Sequence, residues 1–266
     1  MCFNYFLQTY IELSSMWHRI DLIYVLGLFD IKQRYRRSKL GPLWLTISTS
    51  VLIFLIGLIF SQALDSRFAD YFPYLACGII LWNFISSSIN EGTQAFISAQ
   101  SIIRQIKIPL AVFVARVMWR NILVFMHNII IFPIVLICVG RWVDWKAFLA
   151  IPGFFILCIN IFLVSLYLSV LCTRFRDLSQ IVKSLLQIFF YLTPIIWLPS
   201  SMGPRSAFLI VNLNPVYHIM EVVRAPLLGL VPSLLNYLVS IFCLLINLML
   251  ASYLFGKYNK RVSYWL

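Results

Sequence analysis

Acidic residues are scarce in this chain: nine Asp and Glu among 266 residues, against 21 Lys and Arg. Charge of either sign makes up only 11 %, where soluble domains carry about 25 %. That deficit excludes a soluble globular domain and a disordered chain. Histidine is rarer still. His18, His127 and His218 stand alone without ligand spacing, so each reads as a packing residue and no metal site is expected. The six cysteines include no C-x-x-C pair, and five lie in or at the ends of apolar runs, where a thiol packs as a small hydrophobe. A basic n-region and a small-residue cleavage site are both missing, so the first 40 residues are expected to be retained. No G-x-x-x-x-G-K-[ST], H-E-x-x-H or G-x-S-x-G occurs, which excludes a P-loop ATP site and two common hydrolase centres on this chain. The long apolar stretches hold almost no ionisable group, which argues against an ion-coupled carrier.

What is present is hydrophobic: 62 % of residues, 16 % of the chain aromatic, with mean hydropathy +0.91. The net charge of +12 would suit a nucleic-acid partner. The basic residues, however, are spread between apolar runs long enough to cross a bilayer, so a membrane protein without nucleic acid is the better reading. An all-α polytopic fold with six membrane helices is predicted, over residues 43–64, 72–90, 109–139, 147–172, 183–198 and 233–255. With both termini inside, sixteen basic and five acidic residues fall on the inner side, against five and four outside. That asymmetry is the positive-inside signature.

Three further segments carry information. In residues 19–39, Ile20, Ile23, Tyr24, Gly27, Leu28, Ile31 and Tyr35 form one helical face beside the basic run RYRRSK, the pattern of a helix lying in the membrane interface. Gly41-Pro42 then turns the chain into the first span. Residues 93–108 form a second amphipathic stretch, with Phe96, Ala99, Ile103 and Ile106 at helical spacing beside Arg104 and Lys107. It either rests on lipid or offers a grip to a partner. Residues 199–232 are apolar yet punctuated by proline and glycine, which suits two short helices dipping in from the outer side. Asn214-Pro215 reads as a helix start, and Glu221 and Arg224 sit one turn apart on one face. Those four residues make this region a candidate outer gate.

Together the stretches DIKQRYRRSKLGPLW, SIIRQIKIPL, RFRDLSQIVKSLLQIFFYLTPIIW, NPVYHIMEVVRAPLLG and the tail from Lys257 to Leu266 run across nearly the whole chain. In this order they resemble the ABC-2 type permeases that export polysaccharides or polyol phosphates from bacteria. The resemblance implies a single transmembrane domain in the cytoplasmic (inner) membrane, with both termini cytoplasmic. It implies a homodimer joined to two ATP-binding-cassette subunits, which bind ATP and Mg; this chain holds no cofactor and is no enzyme. Phe96, Ile103, Arg104 and Lys107 would lie in the coupling helix that meets the ATPase. Arg34, Tyr35, Arg36 and Arg37 would hold the pyrophosphate of an undecaprenyl-linked glycan or the anionic headgroups of membrane lipids. Ser48 and Phe54 on the first span, with Phe189, Phe190, Tyr191 and Trp197 on the fifth, would line the channel. The competing readings are a permease of the same class for a small lipid or drug, and a membrane-embedded transferase. The second needs paired carboxylates or a His-Asp pair at one membrane face, and neither Asp65 with Asp70 nor Asp177 with His218 makes one.

Overall fold

The computed structural model describes residues 2–34, 36, 41, 43–63, 67–201 and 203–266. Every regular element among them is helical. In chain order these are α1 (Cys2–Trp17), α2 (Ile20–Arg34), α3 (Leu43–Ala63), α4 (Phe68–Thr93), α5 (Ala95–Ser98), α6 (Gln100–Gln105), α7 (Ala111–Asn128), α8 (Ile131–Cys138), a 3-10 turn (Trp145–Leu149), α9 (Ala150–Arg174), α10 (Leu178–Leu192), a second 3-10 turn (Pro199–Ser201), α11 (Pro204–Asn212), α12 (Pro215–Leu227) and α13 (Leu234–Trp265).

Five segments are long and apolar enough to cross a bilayer: α3, α4, α7 with α8, α9 with its preceding turn, and α13. The expected fifth span, 183–198, takes a different form. Its helix α10 begins at Leu178 and stops at Leu192. Fifteen residues reach about 22 Å, short of the ~30 Å hydrocarbon core. The chain goes on through the bent, non-helical segment 193–198. The expected third span, 109–139, is broken at 129–130. Pro133 lies four residues beyond Ile129; it has no N–H to give that carbonyl, and its ring crowds it. The expected sixth span outruns its predicted end at 255, because the tail continues as one 32-residue helix. The 93–108 stretch is two short helices with a break at Ala99. α1 was not foreseen at all.

α4 is the hub, buried along most of its length against α3, α7, α9 and α12. Its core partners include Phe125, Phe132, Leu157 and Met220. A second core lies at the end of the bundle that carries α1, α2, α5 and α6, here called the basic end. There Phe96, Leu110, Leu166, Val170 and Phe255 pack together. In lipid no hydrophobic force drives helices together, so close approach of backbones matters more. Gly153 of α9 supplies one such contact: a Cβ there would meet the Val222 carbonyl oxygen of α12 at 2.5 Å. Gly27 of α2 leaves room for a side chain instead, lying against the indole of Trp119. α12 enters the bundle rather than capping it, since Pro215 and Val216 line one cavity with Asn160 and Ile161 of mid-α9.

Candidate functional site

A cluster of paired charges lies at the basic end, where α2, α4 and α7 meet. Asp30 of α2 is buried, with only 8 % of its surface exposed. Arg116 grips both its carboxylate oxygens, Nε donating at 2.7 Å and Nη2 to the second oxygen. Arg120 Nη1 donates to Asp30 at 3.0 Å and its Nη2 to Glu91 at 2.6 Å. Glu91 also accepts from Arg34 Nη2 at 2.7 Å and from Asn121 Nδ2 at 2.8 Å. The lattice thus ties α2 to the last turn of α4, just before α5. Asp30 is not among the residues of the helical face predicted for 19–39, yet it is one of the positions of α2 that pack inward. Ile23, Gly27 and Asp30 are the buried positions of α2, at i, i+4 and i+7, whereas Ile20 and Tyr24 are more than half exposed. A signal was available: Arg116 and Arg120 one turn apart at the start of a span require acidic partners.

Of the four carrier-binding candidates, Arg34 belongs to this lattice and Arg36 is exposed beyond the helix end. Tyr35 and Arg37 lie outside the described residues. Among the coupling candidates, Arg104 and Lys107 are exposed with Ile106 between them, while Ile103 is half-buried against the second core. Phe96 is fully buried under α7 and α9 and offers no surface. It anchors α5 to the bundle. α6 is further held by Gln100, whose Nε2 donates to the Leu266 carbonyl. Glu12 of α1 accepts from the Leu110 N–H at 3.1 Å, capping the entry to α7. Burial pushes its carboxyl above the ordinary value despite that bond.

The channel candidates divide. Ser48, Phe54 and Tyr191 are exposed, Tyr191 by 64 %. Phe189 and Phe190 turn inward against the main core, Phe190 beside Trp82. Trp197 is half-buried, its Nε1 donating to the Tyr191 carbonyl at 3.0 Å. The exposed side of α10 carries instead a polar stripe of Gln180, Lys183, Gln187 and Tyr191, at i, i+3, i+7 and i+11. That spacing is present in the sequence, and of its four residues Tyr191 alone is among those expected to line the channel.

At the opposite end, Asn214 caps α12 by accepting from Val216 and Tyr217 N–H at 3.0 and 3.3 Å, and donates to Thr193 Oγ1 at 2.9 Å. Pro215 occupies the first helical turn behind it. Arg224 is 1 % exposed. Its Nε donates to Glu221 at 2.8 Å and its Nη1 to the Pro194 carbonyl at 2.6 Å. The guanidinium lies 4.2 Å from the Tyr74 ring centre, and Tyr74 donates to the same carbonyl at 2.7 Å. Arg224 therefore satisfies the open backbone after α10 and fastens it to α4 and α12. His218 is likewise a packing residue, set between Asn236 Oδ1 and the Asn212 carbonyl. Among the described residues no group of three His, Cys, Asp or Glu converges as a metal site would.

Residues 21–228 match the family described as ABC-2 type transporter. The O-antigen export system permease protein RfbA of Myxococcus xanthus is 25 % identical over 198 residues, covering 74 % of this chain and 76 % of that protein. A protein of the same name from Klebsiella pneumoniae is 28 % identical over 207 residues, 76 % of this chain and 78 % of that protein.

Proposed function

Because the chain belongs to the ABC-2 type transporter family, we propose that it is the permease subunit of an exporter for a lipid-linked, O-antigen-like polysaccharide. The observation that carries this reading is the stripe on α10. Gln180, Lys183, Gln187 and Tyr191 sit exposed on a helix that runs beside membrane-spanning α4 and α9. Amides and a phenol in that position are costly toward lipid and useful toward water or hydroxyls. A second copy of the chain, meeting this one along α3 and α10, encloses the stripe and makes a polar path for a glycan. Tyr191 and Phe54 offer rings to the C–H faces of sugars, while Gln187 and Ser48 exchange hydrogen bonds with hydroxyls.

Energy comes from ATP hydrolysed with Mg on two separate ATP-binding-cassette subunits. They press on the exposed Arg104–Lys107 surface of the α6 elbow, on the cytoplasmic side. The lattice of Asp30, Glu91, Arg116 and Arg120 carries that push to α2, because its two carboxylates and its arginines leave little freedom between α4, α7 and α2. α2 lies in the inner leaflet, where Arg34 and Arg36 meet the pyrophosphate of an undecaprenyl carrier. α10, the 193–198 bend and the α11–α12 pair complete a sixth crossing with a re-entrant outer wall. Arg224 and Asn214 hold that wall fixed, so opening at the outer gate moves against them. Both termini are cytoplasmic in the inner membrane.

Deleting the gene tests this directly. Surface glycan is lost and lipid-linked glycan accumulates inside the cell. A full surface glycan in the deletion strain refutes export as the function.

A further inference from the structure

A polar cavity of about 260 Å³ lies between α3, α4 and α7, just beyond the buried charge lattice. Each wall contributes a polar residue at helical spacing. α4 supplies Asn83, Ser87 and Glu91 at i, i+4 and i+8. α7 supplies Asn121 and Asn128, one face apart by seven residues, and α3 supplies Thr49. Arg34 of α2 also reaches the lining, and the remainder is apolar, with Ile80, Phe84 and Phe125 among it.

Polar side chains inside membrane bundles often serve only to join helices. Two of these do so: Asn121 bonds Glu91, and Asn128 accepts from Thr46 at 3.2 Å. Asn83 and Ser87 do not. Neither makes a side-chain hydrogen bond among the described residues, although Asn83 sits near the middle of the hub helix. An Asn that bonds no other helix, on a wall of a membrane-embedded cavity, implies something polar inside it.

We infer that this cavity binds a single pyranose unit carrying a phosphate. The volume falls just below the ~300 Å³ at which small-molecule pockets begin, so it takes one ring and not a chain. Hydroxyls of the ring meet Asn83, Ser87 and Asn128, and its C–H face lies on Phe84 and Phe125. The phosphate lies toward Arg34, which lines the same cavity. The ligand has two possible sources, the first sugar of a polyprenyl-linked glycan or a free sugar phosphate. Only the first rests on the export function proposed above.

The test uses the purified full chain in nanodiscs of phosphatidylethanolamine and phosphatidylglycerol. Four probes are compared: polyprenyl-pyrophosphate N-acetylglucosamine, free N-acetylglucosamine 1-phosphate, polyprenyl pyrophosphate without sugar, and inorganic phosphate. Asn83→Ala and Ser87→Leu each weaken the sugar-bearing probes about tenfold, the value of roughly one buried hydrogen bond, and leave polyprenyl pyrophosphate unchanged. Ser87 is exposed to the cavity, so Ser87→Leu fills it without disturbing a packed contact, and an unchanged unfolding temperature verifies that the variant is intact. The stronger of the two sugar-bearing probes identifies the source. Wild-type affinity in both variants, or inorganic phosphate competing as well as the sugar phosphate, overturns the assignment. A deletion strain that keeps its surface glycan removes the export function but leaves the binding result standing. Loss of export with variant-insensitive binding does the reverse.

Discussion

Asp30 shows how one misplaced residue changes the reading of a whole helix. A carboxylate buried between two guanidiniums is costly to desolvate, and the pairing repays that cost only while all partners are present. Asp30→Ala leaves Arg116 and Arg120 facing each other without their shared acceptor. The expected loss is about 3–5 kcal/mol, the usual cost of removing one member of a buried pair. It is checked by thermal unfolding of the detergent-solubilised protein. Adding Arg116→Ala to that variant recovers part of the loss, because the two residues act as one unit. Additive losses in this cycle mean that the lattice is not coupled. Gly153 makes a steric prediction of the same grain. Gly153→Val drives a side chain into the Val222 carbonyl, and a destabilisation of about 1–3 kcal/mol is expected from overpacking.

At the scale of elements, composition and periodicity made the long helices legible. Runs of twenty apolar residues mean membrane helices whatever else the fold does, and α3, α4, α9 and α13 follow directly. Helix ends were harder, because tertiary contacts decide them. α10 stops at Leu192 because the non-helical segment after it is held elsewhere: the Pro194 and Ile196 carbonyls accept from Arg224, Tyr74 and Tyr71, all remote in sequence. α1 escaped notice because its apolar residues surround it: Phe6, Tyr10 and Ile11 are exposed while Leu13 and Met16 pack inward. Its docking depends on Glu12. Since burial raises that carboxyl above its ordinary 4.5, the protonated form favours the docked helix. Docking is strongest below the ordinary value and weakens as pH rises through the raised one. Amide exchange in α1 therefore speeds up across that interval, and Glu12→Gln abolishes the dependence; a flat wild-type profile refutes it. α5 and α6 separate support from contact in the same way. Phe96→Ala costs about 3–5 kcal/mol as a buried aromatic truncation. Charge reversal at Arg104 and Lys107, both exposed, leaves the unfolding temperature unchanged and removes ATPase co-purification. If both sets of variants lose only stability, the elbow is not the site of the grip.

For the whole molecule, the question is which surfaces meet lipid and which meet a second copy. The basic excess that suits nucleic acid by charge alone sorts to one side of the membrane by the predicted topology, where the acidic residues are few and Asp30 is the buried one among them. The outward face of α3 is almost entirely apolar, broken chiefly by Ser48, while α10 adds the polar stripe. Only the stripe has a clear reason to avoid lipid, so the two-copy assembly is argued from α10. On the proposed path, each stripe residue would offer hydrogen bonds that a moving glycan replaces in turn, with no single one holding the chain. Gln187→Leu therefore slows export several-fold, in keeping with about 1 kcal/mol per lost partner, and does not abolish it. Membrane insertion and ATPase co-purification stay at wild-type levels, because Gln187 is exposed and bonds no other described residue. Ile188→Ser, one position round the helix and off the stripe, changes the export rate little. Equal effects at 187 and 188 put the glycan path elsewhere than along the stripe, and a cross-link between Cys residues placed at 187 in both copies reports whether the two stripes face each other at all.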